Sequence, residues 1–148
     1  MRGKVERTEE LYKETRYKGV VGEKCGRSFV TAKGLRQGCP LSPGLFSIYM
    51  EGLEKKLKNS QYGGVVIGGA KVWALAYADD IVVIAKTENE MKGMMRVVKD
   101  FLEGRELEIS VEKTKMLVFQ KGRGRGKREV WRWEKEVVES VEEVKYLG

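Results

Sequence analysis

Hydrophobic residues along this chain form short runs and spaced stripes, which predict a set of strands and amphipathic helices. The most apolar stretch is residues 72–86, where two hydrophobic runs, 72–78 and 81–85, are separated only by Asp79 and Asp80. Each run is too short to cross a membrane and has the length and β-branched content of a buried strand. The pattern predicts a tight hairpin with both carboxylates at its tip.

Helical spacing appears in two longer segments. Ser42, which stands before a proline, predicts the N-cap of a first helix that ends near Asn59. A second helix is predicted over residues 88–103, because Thr87 and Glu90 form a capping-box pattern before it and a glycine follows it. Both segments carry apolar residues at the spacing of one helix face, so both helices are expected to pack against a core.

Shorter apolar segments predict further strands on either side of these helices. Residues 20–22 and 27–31 are expected to pair around a turn at 23–26, after a helix over residues 5–17. A loose surface arm is the alternative for this end. Residues 63–71 predict a short strand and a glycine turn that leads into the central hairpin.

The C-terminal third predicts less regular structure. Residues 106–109 and 116–119 are short apolar segments around a lysine-rich turn at 113–115. Residues 131–133 alternate as in a strand, whereas the three valines that follow at 137, 141 and 144 keep helical spacing. Strand and helix both remain open for residues 131–146.

Charge and composition favour some classes of protein and exclude others. With 148 residues, 41% hydrophobic and 34% charged, the chain has the length and composition of one globular domain rather than a disordered segment. Its net charge of +7 favours an anionic partner such as nucleic acid, although many basic proteins bind none. The absence of His excludes imidazole zinc sites and Ser-His or Cys-His nucleophiles.

Cysteine content and the chain start bear on the compartment. Cys25 and Cys39 are too few for a disulfide framework and suggest a reducing environment. The charged N-terminus has no signal-peptide pattern, and no apolar run is long enough for a membrane span. We therefore expect an intracellular protein, in the nucleus or cytoplasm and not secreted, without a membrane partner.

The aspartate pair is the strongest candidate for chemistry. Two adjacent carboxylates repel each other, so their position at the end of an apolar hairpin is costly unless a cation lies there. Hard oxygen ligands of this kind suit Mg²⁺. An ordinary Asp-Asp turn between two strands would explain the same residues without a metal.

Four stretches occur in the order in which reverse transcriptases carry their motifs. They are residues 34–43, residues 77–80 (Tyr-Ala-Asp-Asp), residues 107–115 and residues 144–148. Together they resemble the reverse transcriptases of non-LTR retrotransposons and group II introns. The resemblance covers roughly residues 11–148 and rests on four ordered matches, so it is more specific than any one of them.

The resemblance implies a fold, an activity and a site. The fold is α+β, an incomplete polymerase palm in which an antiparallel sheet carries two helices on one face. For the C-terminal region that the local pattern leaves open, the resemblance favours strands that end at residues 146–148. The activity is RNA-directed DNA synthesis from an RNA template, a DNA primer and dNTPs, with two divalent ions, Mg²⁺ or Mn²⁺. The ions would be held by Asp79 and Asp80, and Lys113 would act beside the leaving pyrophosphate. The residues that would position template and nucleotide are Arg36, Gln37, Gly38, Pro40, Ser42, Tyr77 and Ala78.

Residues 121–128 alternate basic residues with glycine and are expected to form a flexible basic loop within the domain. Such a loop can clamp a phosphate backbone in a salt-dependent way, or can simply be a mobile surface segment. Its candidate contacts to a nucleic-acid backbone are Lys121, Arg123, Arg125, Lys127 and Arg128.

The sequence also departs from the family pattern. Relatives usually carry Asn where this chain has Ser110. In the family another Asp on an earlier strand bridges both ions, but the three aspartates here are Asp79, Asp80 and Asp100. Counterparts of the fingers and the thumb are missing as well. Residues 1–148 are therefore expected to be a partial reverse transcriptase domain, and activity of this segment alone does not follow.

Three functions remain to be compared. The first is the palm of a retrotransposon reverse transcriptase. The second is a non-catalytic RNA-binding α+β domain, which is disfavoured because the central hairpin offers only Trp73 and Tyr77 for base stacking. The third is an inactive retroelement remnant, which the missing aspartate keeps open.

Overall fold

The computed structural model describes residues 15–31, 38–119 and 129–146, together with Glu6, Glu10 and Lys13. These residues form an α+β structure, as predicted, with the chain divided into two compact units, Met1–Glu51 and Gly52–Gly148. Most of the helix predicted over residues 5–17 and all of the basic loop at 121–128 lie outside the described residues. No described helix combines the length and the apolar content needed to cross a bilayer.

The first unit contains a two-stranded antiparallel ribbon. Strand β1 is Thr15–Val21 and strand β2 is Lys24–Thr31, with a register shift between Lys18 and Val20. The predicted hairpin is confirmed, but its strands are longer and its turn is shorter, because Gly22 adopts a φ of +61° and closes the turn at once. The end of the helix predicted over residues 5–17 is wrong, since Thr15–Val21 is strand.

Helix α1, Ser42–Tyr49, completes the described part of the first unit. Ser42 was expected to be its N-cap, but that prediction is wrong. Leu41 occupies the N-cap with no side-chain cap hydrogen bond, and Ser42 lies inside the helix, 8% exposed. The backbone explains the shift, because Ser42 N donates to Cys39 O and so already belongs to a turn before the helix.

One continuous helix from Ser42 to Asn59 was predicted, and the structure has two. Helix α2 is Leu53–Asn59 and follows Gly52, whose φ is +94°. A left-handed residue interrupts the helical path, and glycine is the residue that adopts this conformation at least cost. The break separates the apolar stripe into two parts that belong to different units.

The second unit begins with two hairpins. Strands β3, Val65–Ile67, and β4, Ala70–Val72, pair across a glycine turn, as predicted. Strands β5, Ala74–Tyr77, and β6, Asp80–Val83, form the central hairpin.

Helix α3, Glu88–Glu103, follows the two hairpins and confirms the second predicted helix. Its capping box is present, with Thr87 Oγ1 accepting from Glu90 N at 3.2 Å and Glu90 Oε2 accepting from Thr87 N at 3.3 Å. Gly104 is the C-cap, as expected.

Helices α2 and α3 pack against each other and provide most of the buried apolar side chains. The side chains less than 9% exposed here are Leu53, Leu57, Met94, Val98, Phe101 and Leu102. This confirms the predicted apolar face of the second segment and, in the first segment, of residues 53–59. In α1 the expectation is wrong for two residues of the same stripe, since Ile48 is 68% exposed and Tyr49 is 47% exposed. Burying a large apolar side chain of this kind contributes about 1.5–3 kcal/mol, so the helix pair anchors the unit.

The last part of the chain is built of short strands, which decides the alternative left open for residues 131–146. Strand β7 is Lys115–Leu117, β8 is Arg132–Trp133, β9 is Glu136–Val137 and β10 is Glu139–Val141. Strands β8 and β9 form an antiparallel pair, and β10 pairs in parallel with β7. A second small core forms here, from Met116, Trp131 and Val138.

The described strands pair two by two, in four antiparallel sheets and one parallel sheet. A hydrogen bond outside the ladders connects the β3–β4 pair with the β5–β6 pair. Gly64 N, just before β3, donates to Ile84 O, just after β6, at 2.8 Å. The strands are two to eight residues long, and Gly68 and Gly69 lie at the turn of one pair. Short strands interrupted by turns cannot extend a ladder into a broad sheet.

Candidate functional site

The central hairpin places the aspartate pair on a very tight turn. Tyr77 pairs with Asp80, so only Ala78 and Asp79 lie between the strands. The predicted hairpin is therefore present, with the difference that Asp80 is the first residue of β6 rather than part of the tip. Two-residue connections are the commonest hairpin turns, because their twist matches that of the flanking strands.

Ala78 has a φ of +49°, in the left-handed region that an alanine rarely adopts. This conformation costs about 1–2 kcal/mol for a residue with a Cβ. Residues in sparsely populated backbone conformations concentrate at functional sites, where the surrounding structure holds them in place. The turn before Asp79 is thus strained, and the strain lies beside the two carboxylates.

The base of the hairpin is held by backbone hydrogen bonds and close packing. Ile84 N donates to Trp73 O at 2.9 Å, which extends the pairing by one step, and Ile84 O accepts from Gly64 N. A Cβ placed on Gly63 would lie 1.9 Å from Sδ of Met94 and 3.0 Å from Ile84 O. Gly63 therefore lets α3 and the hairpin backbone approach each other closely, a role that the sequence analysis did not assign. Two successive glycines before an apolar strand were the available signal.

The hairpin strands are more exposed than the predicted buried strands. Leu75 is 45% exposed and Tyr77 is 64% exposed, and both lie on the face that also carries Asp80. The opposite face, with Ile81 and Val83, is partly buried. On the first face Val82, the partner of Leu75, is also partly buried, so the described residues leave chiefly the turn end of that face exposed.

Asp79 and Asp80 are both exposed to solvent. Water solvates exposed carboxylates well, so their mutual repulsion alone does not require a bound cation. Among residues 15–31, 38–119 and 129–146, no three acidic or cysteine side chains are grouped closely enough to hold a metal ion. Mg²⁺ in polymerase sites is held by one or two carboxylates together with substrate phosphates, and the two aspartates fit that donor set for one ion.

Lys113 lies on a separate turn before β7. Ser110 O accepts from Lys113 N at 3.1 Å and from Thr114 N at 2.9 Å, which closes the turn predicted at residues 113–115. Lys113 is exposed, whereas the ammonium of Lys115 is bound by Glu112 O and the Glu139 carboxylate. Of the two turn lysines, Lys113 is the one whose ammonium makes no hydrogen bond or ion pair with another described residue.

The predicted positioning segment lies partly in the first unit. Gly38 has a φ of +79° and starts the turn that leads through Pro40 into α1. Arg36 and Gln37 lie outside the described residues, as do the five basic residues predicted to contact a nucleic-acid backbone. Of the candidate residues, the structure brings together Tyr77, Ala78, Asp79 and Asp80 on one hairpin.

Comparison with known proteins agrees with the motifs. Residues 4–148 match the family described as reverse transcriptase (RNA-dependent DNA polymerase). The chain is 30% identical over 109 residues to the retrovirus-related Pol polyprotein from type-1 retrotransposable element R2 of Nasonia vitripennis, a match that covers 74% of this chain and 10% of the relative. It is 36% identical over 85 residues to the corresponding polyprotein from type-2 retrotransposable element R2DM of Drosophila melanogaster, covering 57% of this chain and 8% of that relative.

A third relative comes from a different species. The chain is 28% identical over 94 residues to a Pol polyprotein from type-1 retrotransposable element R2 of Popillia japonica, covering 64% of this chain and 16% of the relative. The chain spans about a tenth of the length of the first two relatives. Because the family match extends over nearly the whole sequence, the resemblance drawn from the four motifs is confirmed, and the chain belongs to the reverse transcriptase (RNA-dependent DNA polymerase) family.

Proposed function

We propose that this chain is a segment of an RNA-directed DNA polymerase from a retrotransposon of the R2 type, and that it takes part in nucleotidyl transfer. The observation that carries the proposal is the strained two-residue hairpin of Ala78 and Asp79, which presents two neighbouring carboxylates to solvent. The substrates would be an RNA template, a DNA primer and dNTPs. The proposed location is intracellular, in the nucleus or cytoplasm.

The exposed hairpin face supports a larger assembly. Leu75 and Tyr77 leave an apolar surface beside Asp80 that the described residues do not cover. We propose that in the complete enzyme this hairpin belongs to a palm-type antiparallel sheet, with further strands supplied by other parts of the polyprotein. Edge strands of a two-stranded hairpin have free ladder positions, and adding strands would satisfy them.

Asp79 and Asp80 would hold a divalent ion, Mg²⁺ or Mn²⁺, together with phosphate oxygens of the nucleotide. When bound, such ions lower the pKa of the primer hydroxyl and stabilise the charge that develops on the leaving pyrophosphate. Two adjacent carboxylates suffice for one ion with substrate phosphates, and the second ion of a two-metal site needs a further carboxylate from elsewhere in the polyprotein.

The chain's other candidate residues would orient the substrates and neutralise the charge that develops on the leaving pyrophosphate. Tyr77 and Ala78 adjoin the carboxylates and would border the primer end. The exposed ammonium of Lys113 would donate a proton to the leaving pyrophosphate or compensate its charge. In the first unit, Gly38 would allow close approach of backbone to nucleotide, with Arg36 and Gln37 contributing polar contacts to the template.

The proposal is tested by primer extension on an RNA template with Mg²⁺ or Mn²⁺, using this segment joined to the flanking polyprotein sequence of an R2 relative. Asp79→Asn keeps the size of the side chain and removes its charge, and we expect it to abolish extension. Asp100→Asn is the matched control, because Asp100 is an exposed aspartate on α3. Extension that survives Asp79→Asn, or that is lost equally in Asp100→Asn, would refute the assignment.

Metal binding is tested apart from polymerisation. Titration of the purified chain with Mn²⁺, followed by the loss of free-ion paramagnetic resonance, reports binding without substrate. We expect Asp79→Asn to weaken binding and Asp100→Asn to leave it unchanged. Equal affinity in the two variants would exclude Asp79 as a ligand of the ion in this chain.

A further inference from the structure

A cleft of about 350 Å³ opens in the second unit between one face of α3 and the segment that contains β8 and β9. The residues that line it belong neither to the aspartate hairpin nor to the lysine turn at 113–115. Ligand pockets have volumes of roughly 300–1,000 Å³, so this cleft is at the small end of that range. It has room for one or two side chains of a partner rather than for a folded element.

Two salt bridges connect the walls of the cleft. Lys92 of α3 pairs with Glu129, which precedes β8, at 2.6 Å. Lys99 of α3 pairs with Glu134, which lies between β8 and β9, at 2.7 Å. Each lysine also pairs with a glutamate of its own helix. The lysines therefore hold the helix and the opposite segment together.

These ion pairs leave the two lysines without positive charge to offer a ligand. The hydrogen bond with Glu134 raises the pKa of Lys99, and the hydrogen bonds with Glu129 and Glu88 raise the pKa of Lys92. Both ammonium groups are charged at neutral pH, and each is matched by two carboxylates. The same carboxylates place negative charge beside the cleft, which opposes the binding of an extended polyanion.

Two arginines supply the unmatched positive charge of the cleft. Arg96 lies on α3 between the two lysines, is exposed, and pairs with no carboxylate among the described residues. Arg132, on the opposite wall, is also exposed and donates to the backbone carbonyl of Lys135 at 3.4 Å. A guanidinium presents its donors in a planar fork that fits a carboxylate through two parallel hydrogen bonds. The arginines therefore favour a partner that carries carboxylates.

Apolar side chains line the same cleft. Met95 comes from α3, and Val130 and Trp133 come from the opposite segment. Val130 is 59% exposed, and the indole of Trp133 is only partly buried. Aromatic residues, Met and Arg are enriched in protein–protein interfaces, whereas Lys and Glu are depleted there. The cleft thus has the composition of the centre of a small protein interface, with its lysine–glutamate pairs beside it.

We propose that this cleft binds an acidic segment of a protein partner, in which carboxylates pair with Arg96 and Arg132 and an apolar side chain packs on Trp133. Charge favours this occupant over a nucleic-acid strand. Successive phosphates would face the glutamates beside the cleft, whereas a peptide carries carboxylates only at some positions and can match the arginines alone. The site goes beyond the proposed polymerase function, because it uses none of the residues assigned to nucleotidyl transfer and its partner is not a substrate.

The first experiment selects peptides from a random library displayed on phage, using the immobilised chain in EDTA. We expect the selected peptides to be enriched in Asp and Glu together with Leu, Phe or Trp. Metal and dNTPs are absent, so a failure of the polymerase proposal does not affect the result. The most enriched peptide, carrying a fluorescent label, is then the probe for binding measurements by anisotropy.

Variants of the cleft test whether this peptide binds there. Arg96→Gln/Arg132→Gln should weaken its binding about tenfold, since two charge-assisted contacts are lost. Trp133→Ala should weaken it by about tenfold or more, and Trp133→Phe, which keeps an aromatic face, should restore most of the affinity.

A matched variant separates the site from net charge. Lys24→Gln/Arg27→Gln removes two exposed charges from β2 in the other unit and is expected to change the affinity less than twofold. Raising the salt concentration should weaken binding to the unmodified chain more than binding to the double arginine variant of the cleft, because salt screens exposed charge pairs.

Four results would overturn the proposal. The first is a selection that enriches no peptides, or peptides without acidic residues. The second is an equal loss of affinity in the β2 variant, which would mean that net charge alone drives binding. The third is undiminished binding by Trp133→Ala. The fourth is displacement of the peptide by an equal concentration of a single-stranded oligonucleotide, which would indicate a nucleic-acid occupant. If Trp133→Ala fails to fold by circular dichroism, the double arginine variant and the composition of the selected peptides still decide.

Discussion

Gly63 lies where helix α3 packs against the base of the aspartate hairpin, and Gly63→Ala tests whether this close packing stabilises the candidate site. The added Cβ would lie 1.9 Å from Sδ and 2.9 Å from Cγ of Met94, whose side chain is fully buried. It would also lie 3.0 Å from Ile84 O, the carbonyl that accepts from Gly64 N. Either the helix or the hairpin backbone has to move.

The expected cost combines two effects. Gly63 has a φ of +62°, and an alanine in the left-handed region loses about 1–2 kcal/mol. Overpacking a buried contact adds about 1–3 kcal/mol, while the stiffer unfolded chain returns about 0.4–1 kcal/mol. We therefore expect the free energy of unfolding to fall by about 1–5 kcal/mol.

Gly68→Ala is the matched control. Gly68 has a similar φ, +59°, but no atom lies within 4 Å of its added Cβ, so the control carries only the backbone cost. The difference between the variants isolates the packing, about 1–3 kcal/mol, or roughly 2–12 °C in melting temperature for a chain of this size.

Urea unfolding followed by far-ultraviolet circular dichroism measures both variants, with the slope m checked for constancy. If the Gly63→Ala variant is no less stable than the Gly68→Ala variant, the close approach of Met94 to Gly63 does not contribute to the stability of the hairpin.

Two further predictions concern the turn at Ala78 and the ion pair between Lys99 of α3 and Glu134, which lies between β8 and β9. Ala78→Gly removes the strain of a left-handed alanine and should raise the free energy of unfolding by up to about 1 kcal/mol. Ala76→Gly, within β5, should lower it by about 0.5–1 kcal/mol. If thermal melts show the same loss of stability in both variants, the backbone of Ala78 is not strained. Because the pKa of Glu134 is lowered by Lys99, its stabilising contribution is present above its unfolded pKa and is lost as the pH falls through the lower folded value. Lys99→Gln should therefore flatten the fall in melting temperature between about pH 5 and about pH 3, whereas Lys55→Gln, an exposed lysine of α2, should not.

Local sequence patterns predicted the elements that depend on neighbouring residues. The capping box of Thr87 and Glu90, the extent of α3 and the hairpin around Asp79 all follow from contacts between residues fewer than ten positions apart along the chain. Caps, turns and helical stripes are short-range interactions, so the sequence specifies them wherever the chain packs.

The same reasoning misplaced the start of α1 and joined it to α2. Ser42 has the composition of a cap, and the apolar stripe continues past Gly52 with unbroken spacing. Leu53 and Leu57 instead pack in a separate helix against α3, and the left-handed Gly52 makes that possible. Tertiary packing outweighs a helical pattern when breaking the helix buries more apolar surface.

The candidate site divides in a similar way. Motif order identified the family and the hairpin residues Tyr77 to Asp80, which the structure presents together. The metal, the role of Lys113 and the template contacts of Arg36 and Gln37 stay predictions, because each depends on an ion or a substrate that the hairpin geometry alone does not specify. The strain at Ala78 required coordinates, since alanine carries no sequence signal for a positive φ.

By itself the sequence determined the family, the aspartate hairpin and the long helix, because each rests on residues close together along the chain. Local patterns left strand and helix open for residues 131–141, and the tertiary structure decided for short strands that pack beside α3. Lys92 and Glu129 are 37 positions apart in the sequence, yet Nζ of Lys92 donates to Oε1 of Glu129 at 2.6 Å. Contacts at such separations arise from burying Trp131 and Val138, and no local pattern encodes which distant surface will cover them.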